Sequence, residues 1–515
     1  MGTNSSILYE NPSFTGLSPQ SNSGTSNTSE PDSITSLYKK TVKRRHIISS
    51  APLKQPYAAT NEPKKETARA KLLAQIPQSE REIHAAICPL VLDALSEIKH
   101  YYPKDSKWCL PRYFLEDEDD EGSGEDSKPV RNGKRARGKN RPQDDQPDSS
   151  DRKEQEDLHF FDIQVPPREL EADGFDQIQR QPPLILAPGR NRFKDESKIC
   201  NTLVKNTSPD TATIELRDPF AVKSLRRFSF DPKTEDAQTQ TQNRGQAFII
   251  PLLSRFILCD LPLSDRLDYA NPSPIPGLDP NQKFNLIVLD PPWANRSVRR
   301  SGHYQTQTYL DNEMLKGYIS SVLSVHSHPS TPLGHHNTLG CDISKSNLSI
   351  AAIWTTNSAK SRTIAYGSLS ESGFSICEEW VWIKTTVEGE PVTSIEGFWR
   401  KPYEVLVIGK KGPGPALGPK DSDSPSVGGV LRRVIAAVPD VHSRKPNLKE
   451  LFEKVFFSSA SENGTGPETV IGPAGKPAEY SALEVFARNL TAEWWACGNE
   501  VLKFNSESWW VDEES

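Results

Sequence analysis

Phe284-Asn285-Leu286-Ile287-Val288-Leu289-Asp290-Pro291-Pro292-Trp293 decides how this chain is read. FNLIVL is an apolar, β-branched run of the length of a buried strand. It stops on a carboxylate, and in open α/β sheets ligands gather beyond the carboxyl ends of strands. Two prolines then fix φ and remove two N–H donors, so the turn after the strand is stiff and offers only acceptors. Trp293 adds a broad flat face.

Working outward, similar short runs recur at Ile350 to Trp354, Trp380 to Ile383, Val405 to Ile408 and Leu483 to Phe486. Buried runs with helical segments between them predict an α/β domain over 246–505, built on a mostly parallel sheet covered on both faces. One helix is legible. Asn447 is placed to cap it, Glu450 stands where a capping-box acid belongs, and Leu448, Leu451, Phe452, Val455 and Phe456 form one stripe. Stretches rich in Ser, Gly and Pro at about 324–348, 411–430 and 458–478 read as tolerated surface insertions.

The N-terminal half is different. With 35% hydrophobic residues and 42 prolines, the chain of 515 residues is too polar for one compact body. Every tryptophan except Trp108 lies at or beyond Trp293, which puts the dense core in the C-terminal half. Residues 1–75 are expected to be disordered, and 76–115 to hold a short helical segment interrupted by Pro89. A charged disordered linker is expected over 116–155, acidic from Glu116 to Glu121 and basic from Arg131 to Arg141. An accessory region over 156–245 is expected to pack on the C-terminal domain, and 506–515 to be a tail. Lys39-Lys40-Thr41-Val42-Lys43-Arg44-Arg45 reads as a nuclear-import signal, a phosphate-binding arm or a solvated charge run.

The formal net charge is −6, so nucleic-acid binding must come from local basic patches. Seven scattered cysteines, none in CxxC spacing, argue against a zinc site or a disulfide framework. Neither a signal peptide nor a membrane span is expected. Met1-Gly2 with Ser6 fits a myristoylation pattern only formally, and the stretch reads as a polar, disordered start.

A carboxylate, carbonyl acceptors and an aromatic face suit one chemical problem. An adenine amine is a poor nucleophile because its lone pair is delocalised into the ring. Acceptors for its N–H bonds, an aromatic face for the base and close placement beside a methyl donor address that together. The plain alternative is a turn followed by a core tryptophan.

LIVLDPPW resembles the catalytic signature of the eukaryotic adenine-N6 methyltransferases. DPPWANRSVRRS, KPYEVLVIGK, HSRKPNL and LEVFARNLTAEWWACGNEVLKF look like the methyltransferase-like protein 4 branch, over roughly residues 246–505. The resemblance implies a Rossmann-like methyltransferase domain in the permuted order, with the catalytic motif before the cofactor loop, and S-adenosyl-L-methionine as the methyl donor. It implies catalysis by Asp290, Pro291, Pro292 and Trp293. It assigns Cys259, Asp260 and Leu261 to the cofactor adenine, Lys445 to the methionine carboxylate and Arg488 and Asn489 to the ribose. Asn499 and Glu500 complete that pocket, and Asp290 borders it. Phe486-Ala487-Arg488-Asn489, the cofactor loop, lacks the glycines of a dinucleotide fingerprint. Each assignment has an ordinary counterpart: Cys259 as core, Lys445 as a surface charge, Glu500 as a strand-edge acid.

Asn295, Arg296, Arg299, Arg300 and Tyr304 follow the motif and read either as a phosphate- and base-gripping loop or as a mobile solvated one. Trp399 and Glu404 are expected on the other wall of the substrate pocket. The resulting expectation is a monomeric nuclear enzyme without metal, acting on RNA and notably on 2′-O-methyladenosine of small nuclear RNA. DNA is the alternative substrate. A non-catalytic RNA-presenting partner and a small-molecule methyltransferase are the competing classes.

Overall fold

The computed structural model describes residues 45–57, 65–102, 106–113, 182–217, 246–263, 273–293, 312–329, 348–397, 401–411, 430–457 and 480–512. These all fall within one compact unit. The three expected insertions lie largely outside the described residues. So do the charged linker, the Lys39–Arg44 part of the basic run, Asn295, Arg296, Arg299, Arg300, Tyr304 and Trp399.

In chain order the elements begin with β1 (Arg45–Ile47), α1 (Glu66–Gln75), α2 (Gln78–Tyr101), β2 (Leu184–Ile185), β3 (Gly189–Phe193), β4 (Leu203–Lys205) and β5 (Ala212–Leu216). Next come β6 (Gln246–Ile250), β7 (Arg255–Leu258), β8 (Leu286–Leu289), α3 (Asn312–His326), β9 (Ser349–Thr355), α4 (Ala359–Glu371) and β10 (Ser375–Lys384). The last are β11 (Tyr403–Lys411), β12 (Leu431–Ala437), α5 (Lys449–Phe452), β13 (Ala482–Val485), β14 (Trp495–Gly498) and β15 (Trp510–Asp512).

A ten-stranded sheet runs β12-β10-β11-β9-β8-β13-β14-β7-β4-β2. Its central strands β9, β8, β13, β14 and β7 are all mutually parallel. The FNLIVL strand is therefore β8, and the LEVF run is β13, its direct neighbour. Their register aligns Leu289 with Val485, so Asp290 and Phe486 leave the sheet side by side at the same edge. Strand β13 comes late in the chain yet sits in the middle of the sheet, which is the permuted order.

Alternation along these strands feeds two cores, as a sheet covered on both faces requires. Ile287, Leu289, Leu483 and Val485 pack with apolar residues of α2, α3 and α4. Leu286, Val288 and Ala482 pack with Trp354, Trp380, Leu448 and Phe452 on the other face. The expected Asn447 cap is displaced by one residue: the cap position is Leu448, which offers no side-chain bond, and the Asn447 side-chain oxygen accepts from the Lys449 N–H at 3.0 Å in the turn that leads into the helix. Helix α5 is brief and widens into a π turn over Glu453–Phe457.

Several N-terminal expectations change. Pro89 lies inside a continuous α2. A helical proline costs about 3 kcal/mol, but the α2 face formed by Ile87, Val91 and Leu95 is buried, and each such burial returns about 1.5–3 kcal/mol. Residues 182–217, within the region expected to pack on the C-terminal domain, join it through its sheets. Strands β4 and β2 extend the main sheet beyond β7, while β3 and β5 pair with β6 in a small second sheet.

Part of the stretch expected to be disordered is a strap across the C-terminal domain, and the expected tail is its partner. Strand β1 pairs antiparallel with β15. Beyond it, the Ser50 N–H donates to Asp440 Oδ1 at 2.8 Å and the Ser49 hydroxyl to Asp440 Oδ2 at 3.1 Å. Arg444 joins the Ile48 carbonyl to Asp440 through its Nη1, at 2.9 Å each. Arg112 donates to the carbonyls of Val438 and Pro439, both at 2.9 Å. Sequence periodicity does not register such a strap, because its pairing partners lie hundreds of residues away.

Asp440→Ala removes several charge-assisted bonds at once, each worth about 1.5–3 kcal/mol. We expect a loss of roughly 2 kcal/mol in urea unfolding and faster hydrogen exchange at the Ser50 amide; unchanged exchange there excludes the latch.

Candidate active site

The turn after β8 is built as its residues dictate. The Asp290 N–H donates to the Val485 carbonyl at 3.3 Å, which ties the turn to β13. Beyond the prolines, the Trp293 N–H returns to the Pro291 carbonyl at 2.8 Å. The indole N–H of Trp293 donates to the Trp354 carbonyl at the end of β9, also at 2.8 Å. Trp293 is half-buried, with its position fixed at both ends of the side chain. Asp290 is 9% exposed.

Around Asp290 the charges alternate in an unbroken chain. Lys384 Nζ lies 2.6 Å from Glu404 Oε1, and Glu404 Oε2 lies 3.3 Å from Lys445 Nζ. Lys445 Nζ is 3.2 Å from Asp290 Oδ1, and Asp290 Oδ2 accepts from Arg488 Nη1 at 2.7 Å. Arg488 Nε reaches Glu500 Oε2 at 3.0 Å, and Lys503 Nζ sits 3.2 Å from Glu500 Oε1. Burial works against charge on Glu404, yet the fields of Lys445 and Lys384 outweigh it and hold that carboxyl down at about 2. Burial likewise opposes the Lys445 ammonium, but Asp290 and Glu404 raise its pKa above the ordinary lysine value.

Two cavities meet at this cluster, one of about 240 Å³ and one of about 60 Å³. Asp290, Trp354, Ser443, Lys445 and Arg488 line both and so form the partition between them. The larger cavity is walled by Pro291, Pro292, Trp293, Trp382 and Glu404. The smaller is walled by Asn447, Glu484, Phe486, Asn489 and Trp494. Two partition-side residues hold left-handed backbone without being glycine, Ser443 at φ 69° and Phe486 at φ 61°. Each costs about 1–2 kcal/mol, a type of strain that gathers at functional sites.

The structure thus brings Asp290, Pro291, Pro292, Trp293, Glu404, Lys445, Arg488 and Asn489 to one place, with Glu500 joined through Arg488. Cys259, Asp260, Leu261 and Asn499 stand at the carboxyl ends of β7 and β14 on the same sheet edge and line neither cavity. Cys259 is buried, its N–H donates to the Gly498 carbonyl at 3.3 Å, and burial pushes its thiol up to about 12. Among the described residues no group of His, Cys, Asp or Glu is placed to hold a metal, and no helix is long and apolar enough to cross a membrane.

Sequence reading missed Lys384, Ser443, Trp354, Trp382 and Glu484. An acid inside the LEVF run was the one available signal. Among the described residues the Glu484 carboxyl has no hydrogen-bond partner, although its backbone is paired within the sheet. Burial, then the negative charge of Asp290, raise its carboxyl to about 7, with Arg488 offsetting part of the rise.

A carboxyl raised on folding favours the native state when protonated, so its support is present below the unfolded value and is lost as pH rises through about 7. Glu484→Gln should therefore raise the melting temperature by a few degrees at pH 8 and change it little at pH 5. Equal shifts at both pH values would contradict this.

Residues 335–500 match the MT-A70 family model, a span that begins downstream of Asp290–Trp293. Over 233 residues the chain is 37% identical to the "N6-methyladenosine RNA methyltransferase MTA1" of Cryphonectria parasitica, covering 44% of this chain and 55% of that protein. It is 31% identical to the human "N(6)-adenine-specific methyltransferase METTL4" over 273 residues, 53% of this chain and 46% of that one. A "DNA N6-methyl methyltransferase" of Caenorhabditis elegans is 27% identical over 272 residues, 51% and 55% of the two chains. The chain spans about half the length of these curated relatives.

Proposed function

We propose that this chain, whose residues 335–500 match the MT-A70 family model, is a methyltransferase of the methyltransferase-like 4 type that transfers the methyl group of S-adenosyl-L-methionine to the N6 amine of adenine in nucleic acid. One observation carries the reading. The carboxylate of Asp290 and the indole of Trp293 border a single cavity together with Lys445 and Arg488.

The residues present fit a zwitterionic sulfonium cofactor. Lys445 supplies a cation for its carboxylate, and Arg488, which the resemblance assigns to the ribose, lines the same cavity 2.7 Å from Asp290 and supplies a second. Glu484 supplies for its ammonium a carboxyl that has no hydrogen-bond partner among the described residues, and Asn489 lines the same cavity. When bound, the cofactor supplies an electrophilic methyl group.

Everything else belongs to the protein. Asp290 and the proline-turn carbonyls accept from the amine, fix its lone pair in line and stabilise the positive charge that grows on it. Trp293 offers a flat face to the purine, an interaction that strengthens as the ring becomes cationic. Trp293, Trp354 and Trp382 give the larger cavity an aromatic wall, and the electrostatic effects are stronger beside it than in bulk water.

RNA is the favoured substrate class. The relative named as an RNA enzyme is 37% identical and the one named as a DNA enzyme 27%. Within RNA, the motifs of the branch point to 2′-O-methyladenosine of small nuclear RNA. The basic run Lys39–Arg45 supports a nuclear location, and a monomer suffices because one chain furnishes the whole constellation.

Asp290→Ala should reduce methyl transfer at least about 100-fold, the scale of losing a preorganised electrostatic group, while cofactor affinity stays within a few-fold. Lys445→Ala should weaken cofactor binding first. Matched RNA and DNA oligonucleotides, with and without 2′-O-methyladenosine, read by mass spectrometry, test the reading. Normal methylation by both variants defeats it.

A further inference from the structure

The position of the two cations raises an electrostatic problem for the proposed reaction. Arg488 donates to Asp290 Oδ2 at 2.7 Å, and Lys445 Nζ lies 3.2 Å from Oδ1 and 3.3 Å from Oδ2. Both oxygens that must accept from an adenine amine are thus already engaged. A carboxylate has about four acceptor positions, but the stronger obstacle is charge. The amine becomes positive as the methyl group transfers, and two cations at hydrogen-bond distance from its acceptor oppose that.

Each cation has a second carboxylate behind it. Glu404 stands 3.3 Å from Lys445, and Glu500 stands 3.0 Å from Arg488. Lys384 and Lys503 hold these outer carboxylates in turn. Either cation can loosen its hold on Asp290 without becoming a buried, unpaired charge, the outcome that makes breaking such pairs costly. The chain is therefore arranged so that the inner pairs can be exchanged.

Resting on the methyl-transfer reading, we infer that Lys445 and Arg488 clamp Asp290 until the carboxylate of the cofactor engages them, so that the cofactor binds before the adenine and loading it frees Asp290 to take the amine. An anion entering the smaller cavity meets both cations at the partition. It neutralises them where they face the larger cavity, and the Asp290 oxygens regain their strength as acceptors toward the base on that side. Glu404 and Glu500 act as positioning residues that receive the cations. Linkage makes the effect reciprocal: what the cofactor gains for the amine, the amine gains for the cofactor.

Fluorescence anisotropy of the full chain at one fixed salt concentration tests this. The probe is a short single-stranded RNA with one adenine, with and without saturating S-adenosylhomocysteine. We expect the product cofactor to tighten RNA binding by about 10-fold, within the usual range of such coupling. The gain should vanish when the adenine is replaced by unsubstituted purine, which lacks the amine. It should also vanish in the isosteric Asp290→Asn variant, where the clamped charge is gone. If S-adenosylhomocysteine binds but leaves RNA affinity unchanged, or tightens the purine control equally, the clamp is overturned while methyl transfer stands. If S-adenosylhomocysteine does not bind at all, both fall.

Discussion

Asp290 holds the site together because it is a carboxylate at the end of one buried parallel strand facing the loop that leaves the next. Register between β8 and β13 sets Leu289 beside Val485. That register puts Arg488 within 2.7 Å of Asp290 and aims the Phe486 turn at the same edge. Lys445 arrives from a third direction, on the loop between β12 and α5. Three segments far apart in the chain thus converge on one negative charge. The parallel sheet enforces the meeting, since a one-residue slip of either strand would turn its side chains to the opposite face.

The rest of the constellation manages the cost of that charge. Taking ions out of water is expensive, and burial is offset only where geometry is good and every partner is satisfied. Alternation from Lys384 to Lys503 meets that condition while leaving each inner cation two anions to choose between. Glu484 stands outside this run of ion pairs, and its raised carboxyl records what burial beside Asp290 does to an acid that Arg488 offsets only in part. The strap from Arg45 to Ser50 contributes at one remove. Through Asp440 and Arg444 it braces the loop that carries Lys445.

Much of this is legible in the amino-acid sequence. FNLIVL announced a buried strand, Asp290 an end-of-strand carboxylate, and Asn447 a helix start. Lys445 and Arg488 were assigned by resemblance of short motifs, with no physical signal of their own. Residues whose roles depend on meeting a distant segment stayed hidden. Lys384 looks like any lysine closing a strand, and Trp354 and Trp382 like any core aromatics. Ser49 and Ser50 sit in a stretch whose composition suggests disorder, and Pro89 reads as a break in a helix that packing keeps whole.

The sequence by itself determined which segments are apolar enough to be strands, where the chain turns stiffly after Asp290, and which kind of chemistry a carboxylate beside proline carbonyls and an indole can perform. Those are local properties, set by side-chain size, branching and hydrogen-bonding capacity over a few neighbours. Only the tertiary structure decided that β13 lies between β8 and β14, that two cavities share one charged partition, and that an N-terminal strap closes on the Lys445 loop. These depend on contacts between residues hundreds of positions apart, which are selected by the burial of both sheet faces and leave no periodic trace in the chain.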